Sequence, residues 1–268
     1  MAKIVLITGA NTGIGLATAI ELARRGFRSV ASVRSAEKAQ AVKKAAAEAK
    51  VKVDTTILDV TDAAACERIV DELEPWAVVN NAGFATAGAI EDVPDEEARR
   101  FLETMVVAPM RLARLALRHM RKRKDGRIVN VSSIYGRMTT PLTGWYQASK
   151  HALEALSDAM RVEVAAAGIR VILIEPGGFK TAIWGHTERQ DEGSRYQEAY
   201  RRTAASVRLS QPLMGEPSWV ATVIGKALTA RFPRPRYLVG YDAQMIALFD
   251  PIVPTPVKDW VARLTLGL

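Results

Sequence analysis

Ile4-Val5-Leu6-Ile7-Thr8-Gly9-Ala10-Asn11-Thr12-Gly13-Ile14-Gly15 is followed by a stretch from Leu16 to Arg25 with helical periodicity. An apolar strand, a glycine turn and a helix in that order make the first half of a βαβ unit. The glycines let the backbone turn sharply and approach a phosphate, and the amides opening the helix favour an anion. The spacing, Gly-x-x-x-Gly-x-Gly, differs from the Gly-x-Gly-x-x-Gly of other dinucleotide sites but works by the same mechanics. A glycine turn can also be a plain connection; its place directly after the first strand favours a nucleotide.

Outward from this unit, strand and helix alternate. Strands are expected at Ser29 to Val33, Val53 to Leu58, Ala77 to Val79, Ile128 to Val131, Ile169 to Ile174 and Arg236 to Gly240. Helices are expected at Ala36 to Ala49, from about Asp62, from Asp95 towards Lys124 with a bend at Pro109, around Tyr146, and at Trp219 to Ala230. Such alternation implies an α/β protein, with a Rossmann-type, doubly wound parallel sheet of about seven strands covered by helices on both faces. No linker divides it, so residues 1–268 are expected as one domain. Within it, a polar, interrupted insertion is expected at about 183–215 and a tail at about 241–268. The tail ends in a short amphipathic helix suited to packing on the domain or a second subunit, with membrane contact as an alternative.

Composition narrows the classes. The chain has 268 residues, an apolar fraction of 49%, a charged fraction of 25% and a formal charge of +8. These are ordinary values for a globular protein, and no run reaches the ~18 apolar residues of a membrane span. The basic residues are scattered; the one local run, Arg121-Lys122-Arg123-Lys124, reads as the cation-rich end of a helix rather than a nucleic-acid site. Cys66 is the only cysteine, so no internal disulfide can form. With no signal peptide evident, a cytoplasmic location is the default. His119, His151 and His186 lack metal-ligand spacing, and no metal is expected, although His186 could line a substrate pocket.

The strand ends hold the candidate ligand groups. Arg34 ends the second strand, where a carboxylate would bond the 2′-hydroxyl of NAD and an arginine can accept the 2′-phosphate of NADP. NADP(H) is therefore expected over NAD(H), against the alternative that Arg34 is a solvated surface residue. Asp59 ends the third strand; it could accept from an adenine amino group or simply form a turn. Farther on, Ser133 lies thirteen positions before Tyr146, and Tyr146 lies four before Lys150, on one helical face. A free phenol has a pKa of about 10, and a nearby cation favours the phenolate. A Tyr and a Lys at helical spacing are on their own merely a helix face, but with a hydroxyl near them they can move a proton to or from an oxygen.

Taken together, these residues resemble the short-chain dehydrogenase/reductases of the classical type over nearly the whole chain. Thr8-Gly9-x-x-x-Gly13-Ile14-Gly15 is similar to the family's cofactor turn, Asn80-Asn81-Ala82-Gly83 to its fourth-strand motif, and Pro176-Gly177 with Thr181 to its nicotinamide segment. The resemblance implies that Ser133, Tyr146 and Lys150 are catalytic. Ser133 would position the substrate oxygen, Tyr146 act as acid/base, and Lys150 lower the phenol's pKa and hold the nicotinamide ribose. It implies cofactor contacts at Gly9, Asn11, Thr12, Gly13, Ile14, Gly15, Arg34, Asp59, Val60, Asn81, Ala82, Gly83, Tyr146, Lys150, Pro176, Gly177, Phe179 and Thr181. The expected activity is hydride transfer between NADP(H) and a carbonyl or secondary alcohol, by a homodimer or homotetramer. Arg236-Tyr237-Leu238-Val239-Gly240 is similar to the hydroxysteroid and retinol dehydrogenase branch, which implies an apolar small-molecule substrate.

One position departs from the family. Its fourth catalytic residue, an asparagine, is replaced by Met105, whose thioether cannot donate a hydrogen bond. A weakened proton relay is expected, since the backbone carbonyl is retained; packing of Met105 between helices is compatible with that. The rival reading is an NADP-binding sensor or scaffold with little or no catalysis. An isomerase or lyase on the same fold is a third.

Overall fold

The computed structural model describes residues 2–181 and 193–268. Its strands are β1 (Ile4–Ile7), β2 (Arg28–Val33), β3 (Asp54–Ile57), β4 (Ala77–Asn80), β5 (Gly126–Val131), β6 (Ile169–Pro176) and β7 (Arg236–Val239). They form one seven-stranded sheet in the order β3-β2-β1-β4-β5-β6-β7, and every pair is parallel. The order reverses between β1 and β4, where the crossovers pass from one face to the other and leave a crevice at the strand ends.

A parallel sheet is covered on both faces, so its strands read as nearly continuous apolar runs. Alternate residues go to opposite layers. Val5, Ile7, Val129, Val131 and Ile172 pack under α1 (Gly13–Arg24), α2 (Ala36–Glu48) and α8 (Pro217–Thr229). Leu6, Val78, Ile128 and Val171 pack on the other face under α3 (Ala63–Leu73) and α5 (Ala108–Arg123). Helix α3 is started by Asp62, whose carboxylate accepts from the Ala65 amide at 3.0 Å, and α2 by Ser35, which accepts from Lys38 at 3.3 Å.

The expected helix from Asp95 to Lys124 is divided. After α4 (Asp95–Leu102), residues Glu103–Val107 form a π-helical turn, closed by a bond from the Ala108 amide to the Glu103 carbonyl, before α5 begins. The cause is Pro109, which lacks the N–H that an α-helix would send to the Met105 carbonyl. The bend expected at this proline therefore appears as a wide turn one step earlier, and such turns cluster at functional sites.

Helix α6 (Gly144–Glu163) follows β5. Part of the expected insertion is α7 (Gln197–Ser210); residues 183–192 of it, with His186, lie outside the described residues. The tail is more ordered than expected. It contains α9 (Tyr241–Phe249), which the proline pattern did not reveal, and α10 (Thr255–Leu266). No helix among the described residues is long and apolar enough to cross a membrane.

Ile172, fully buried in β6, touches the core laid down by α1 and α8. Ile172→Ala should cost ~2–5 kcal/mol through lost burial and the cavity left behind. A lowered denaturant midpoint checks it.

Candidate active site

The loops leaving the carboxyl ends of the strands open on one cleft of about 2330 Å³. That exceeds the ~300–1,000 Å³ of a pocket for one drug-sized ligand and leaves room for a dinucleotide and a second molecule. Gly9, Asn11, Thr12, Gly13, Ile14, Arg34, Asp59, Val60, Asn81, Ala82 and Gly83 line one part of it, and Ser133, Tyr146, Lys150, Pro176, Gly177, Phe179 and Thr181 line the other. Gly15, the remaining expected contact, is buried behind the turn.

At the glycine turn, Gly9 has φ +63°, and a side chain there would come within 2.8 Å of the Ala82 backbone. A Cβ at Gly15 would collide with the Gly9 carbonyl, so α1 can approach the turn only without one. Thr12 precedes α1 with no side-chain cap bond, so the helix presents its opening amides without a protein acceptor from that residue. A cradle of glycines under an uncapped helix start fits a pyrophosphate.

The Asn80-Asn81 pair supports this turn from beneath. Asn81 Nδ2 donates to the carbonyls of Thr8 at 3.0 Å and Gly9 at 3.1 Å, while the Thr8 hydroxyl accepts from the amides of Asn81 and Ala82, each at 3.0 Å. Asn81 thus holds the glycine turn itself. Asn80 Nδ2 donates to Asn130 Oδ1 at 2.8 Å, and Asn130 Nδ2 to Ser157 Oγ at 2.7 Å, which ties α6 to the sheet centre.

At the second and third strand ends, Arg34 is exposed beside the start of α2, with Lys38 on the same wall. Asp59 accepts from both the amide and hydroxyl of Thr61, at 2.9 and 2.7 Å, so its turn-forming use is realised. Those bonds, with Arg34 and Arg100 nearby, hold its carboxyl below the usual range. Arg100, on α4, stacks over Phe84 at 5.1 Å and brings a third cation to this end of the cleft. Nothing in its sequence neighbourhood distinguishes it from a solvated helix residue.

Ser133, Tyr146 and Lys150 do come together on the cleft floor, all buried. Ser133 Oγ accepts from the Tyr135 amide at 3.2 Å, fixing the turn that carries it. Lys150 Nζ donates to the Val131 carbonyl at 2.9 Å and lies 5.7 Å from the Tyr146 ring centre. The expected lowering of the phenol by Lys150 is not what this arrangement produces. Burial pushes Tyr146 up to about 12, against a hydrogen bond with Ser133 that pulls it down. Burial likewise brings Lys150 down to about 8. The phenol is therefore a neutral proton donor held beside a cation.

Met105 is buried against this group. It clusters with Phe101, Ala85 and Tyr146, and its sulfur receives the Ser149 hydroxyl at 4.0 Å. Packing is its evident use.

The segment after β6 closes the site. Thr181 lies against the glycine turn, its Cγ2 3.3 Å from where a Cβ on Gly13 would be. Phe179 is buried beneath, edge-on to Trp219 at 6.4 Å. Asp242, on α9, accepts from the Gly178 amide at 2.5 Å, and a Cβ on Gly177 would collide with its carboxylate. This residue escaped the sequence reading because it lies in the supposed tail, 64 positions from its partner. Elsewhere His119 pairs with Asp71 at 2.8 Å, and His151 bonds the Gln147 carbonyl at 2.9 Å.

Known proteins are similar to this chain. Residues 3–192 match the family model for short chain dehydrogenase. The uncharacterized oxidoreductase YusZ of Bacillus subtilis is 35% identical over 264 residues, 94% of each chain. 17-beta-hydroxysteroid dehydrogenase type 6 of Rattus norvegicus is 31% identical over 287 residues, covering 98% of this chain and 88% of its own length. Among solved structures, a single-substitution variant of actinorhodin polyketide ketoreductase with NADPH superposes with a TM-score of 0.76 at 29% identity, over 89% of this chain and 95% of that one. Agreement of this extent, running from the glycine turn through the Tyr146 helix, makes the chain an oxidoreductase of the short-chain dehydrogenase/reductase family, with hydroxysteroid dehydrogenases among its relatives.

Proposed function

We propose that this protein is an NADP(H)-dependent carbonyl reductase or alcohol dehydrogenase acting on an apolar small molecule. The observation that carries the reading is the buried Tyr146 phenol, bonded to Ser133 and beside Lys150 on the floor of a cleft. NADP(H), when bound, would supply or take the hydride at the carbinol carbon. The glycine turn and α1 amides would hold its pyrophosphate, Arg34 with Lys38 and Arg100 its 2′-phosphate, and Lys150 its nicotinamide ribose. Ser133 then hydrogen-bonds the substrate oxygen, and the phenol of Tyr146 gives it a proton as negative charge develops there. In the oxidative direction Tyr146 takes the proton back.

An apolar substrate is supported by the outer wall of the cleft, where Met138, Val207, Met214, Ile246, Val261 and Leu266 supply apolar surface. The hydroxysteroid dehydrogenase and the ketoreductase support a bulky carbonyl as the reacting group. A homodimer or homotetramer belongs to the same reading, supported by Leu156 and Val162, which stand exposed on α6.

The test is fluorescence titration with NADPH and NADH, followed by cofactor oxidation with ketones and aldehydes of increasing apolar size. Tighter NADPH binding and turnover on a bulky carbonyl are expected, with loss of turnover in Tyr146→Phe. Arg34→Glu should weaken NADPH roughly tenfold or more, the scale of one charge-assisted contact of ~1.5–3 kcal/mol. Tight binding without turnover throughout the panel would make the protein a sensor or scaffold.

The pH profile has a definite sign. Lys150 is charged below its pKa of about 8 and neutral above it, whereas Tyr146 stays protonated to about 12. Carbonyl reduction should therefore hold below about 8 and decline above it, following Lys150. Initial rates across that range check this.

Met105→Asn tests the relay. Turnover should rise if the missing amide limits proton supply to Lys150; an unchanged or lower kcat would leave packing as its whole role.

A further inference from the structure

Below the cleft floor lies a cluster of charges, two of them buried carboxylates, that the proposed chemistry does not use. Glu175, next to last in strand β6, is fully buried, and Glu154 on α6 nearly so. Arg137 Nε reaches Glu175 at 2.8 Å, and Arg236 Nε reaches Glu175 at 3.1 Å and Glu154 at 3.2 Å. Arg236 also pairs with Asp158 at 2.5 Å. Gly136 lies so close to Glu154 and Ser132 that a Cβ there would come within 2.9 Å of both side chains. The cluster thus joins the Ser133 loop, α6, β6 and β7.

Stability alone does not account for it. Burying ions costs several kcal/mol each, and apolar residues of like volume often serve packing equally well. What distinguishes the position of Glu154 is Lys150, one helical turn earlier on the same face. Lys150 Nζ donates to a neutral carbonyl, that of Val131, which leaves its charge to be balanced from farther off. Arg161 also reaches Asp158, at 3.4 Å, so with Lys150 four cations face Glu154, Glu175 and Asp158.

We propose that Glu154 is a positioning residue that keeps Lys150 charged, with Glu175, Arg236 and Arg137 behind it setting how much negative charge it presents. The inference rests on the place given to Lys150 beside Tyr146 in the proposed chemistry. Its electrostatic sense is supported by the two groups themselves. Burial lowers Lys150 to about 8, and Glu154 is the charge that raises it. Burial raises Glu154, Glu175 pushes it further up, and Arg236 pulls it down.

The experiment titrates the Lys150 side-chain nitrogen by NMR in lysine-¹⁵N-labelled protein, with Lys150→Met assigning the signal. Glu154→Gln should lower its midpoint by roughly one pH unit, a tenfold change in proton affinity. Glu154→Asp, which retains the charge, should return most of the shift; an unchanged midpoint in Glu154→Gln overturns the inference. If Glu154→Gln does not fold, Glu154→Met, apolar and of like volume, should lower the midpoint in the same way, and an unchanged midpoint there overturns the inference. Turnover of Tyr146→Phe is followed in parallel. Full activity there, with the Lys150 midpoint still moved by Glu154→Gln, would sink the proposed acid/base and spare the electrostatic link. Loss of activity there with an unmoved midpoint would do the reverse.

Discussion

All seven strands run in one direction, and this constraint governs the rest of the molecule. In a parallel sheet each strand must return by a crossover, so every carboxyl end falls on the same edge. Gly9, Arg34, Asp59, Asn81, Ser133, Gly177 and Gly240 each follow a strand, and they meet there although they are spread from the start of the chain nearly to its end. The reversal of order between β1 and β4 opens the crevice. Two apolar layers, one on each face, hold the edge rigid enough for the loops to act as a site.

Polar side chains then connect what the apolar layers only stack. The Thr8 hydroxyl and the Asn81 amide lock the glycine turn to the end of β4. The chain Asn80, Asn130, Ser157 joins β4 and β5 to α6. Thr8, Asn80, Asn130 and Ser157 are buried and bonded, so losing one partner would leave the other unsatisfied at a cost of ~1–3 kcal/mol. That cost fixes the register of α6 against the sheet, and with it the positions of Tyr146 and Lys150.

Burial dominates the electrostatics at the meeting point. It keeps the Tyr146 phenol protonated and draws Lys150 towards neutrality, so proton donation suits the site better than a standing phenolate. The charges of Glu154, Glu175, Arg137 and Arg236 stand immediately behind, where the dielectric is low and their fields carry farther than in water.

The fold class was legible in the chain alone, because strand and helix periods and glycine turns are local properties that a parallel sheet repeats in order. So were Ser133, Tyr146 and Lys150, which lie at one strand end and along one helix face. Whatever depends on residues far apart waited for the folded molecule. Asp242 is read as tail until α9 lays it against Gly178, and Arg100 as helix surface until α4 brings it near Asp59. The break at Pro109 takes the form of a π turn over Glu103–Val107. The protonation of Tyr146 could not be read from its neighbour four residues on. Proximity to a cation is written in the helix period, but desolvation is the sum of everything packed around the ring, and only the folded chain sets that sum.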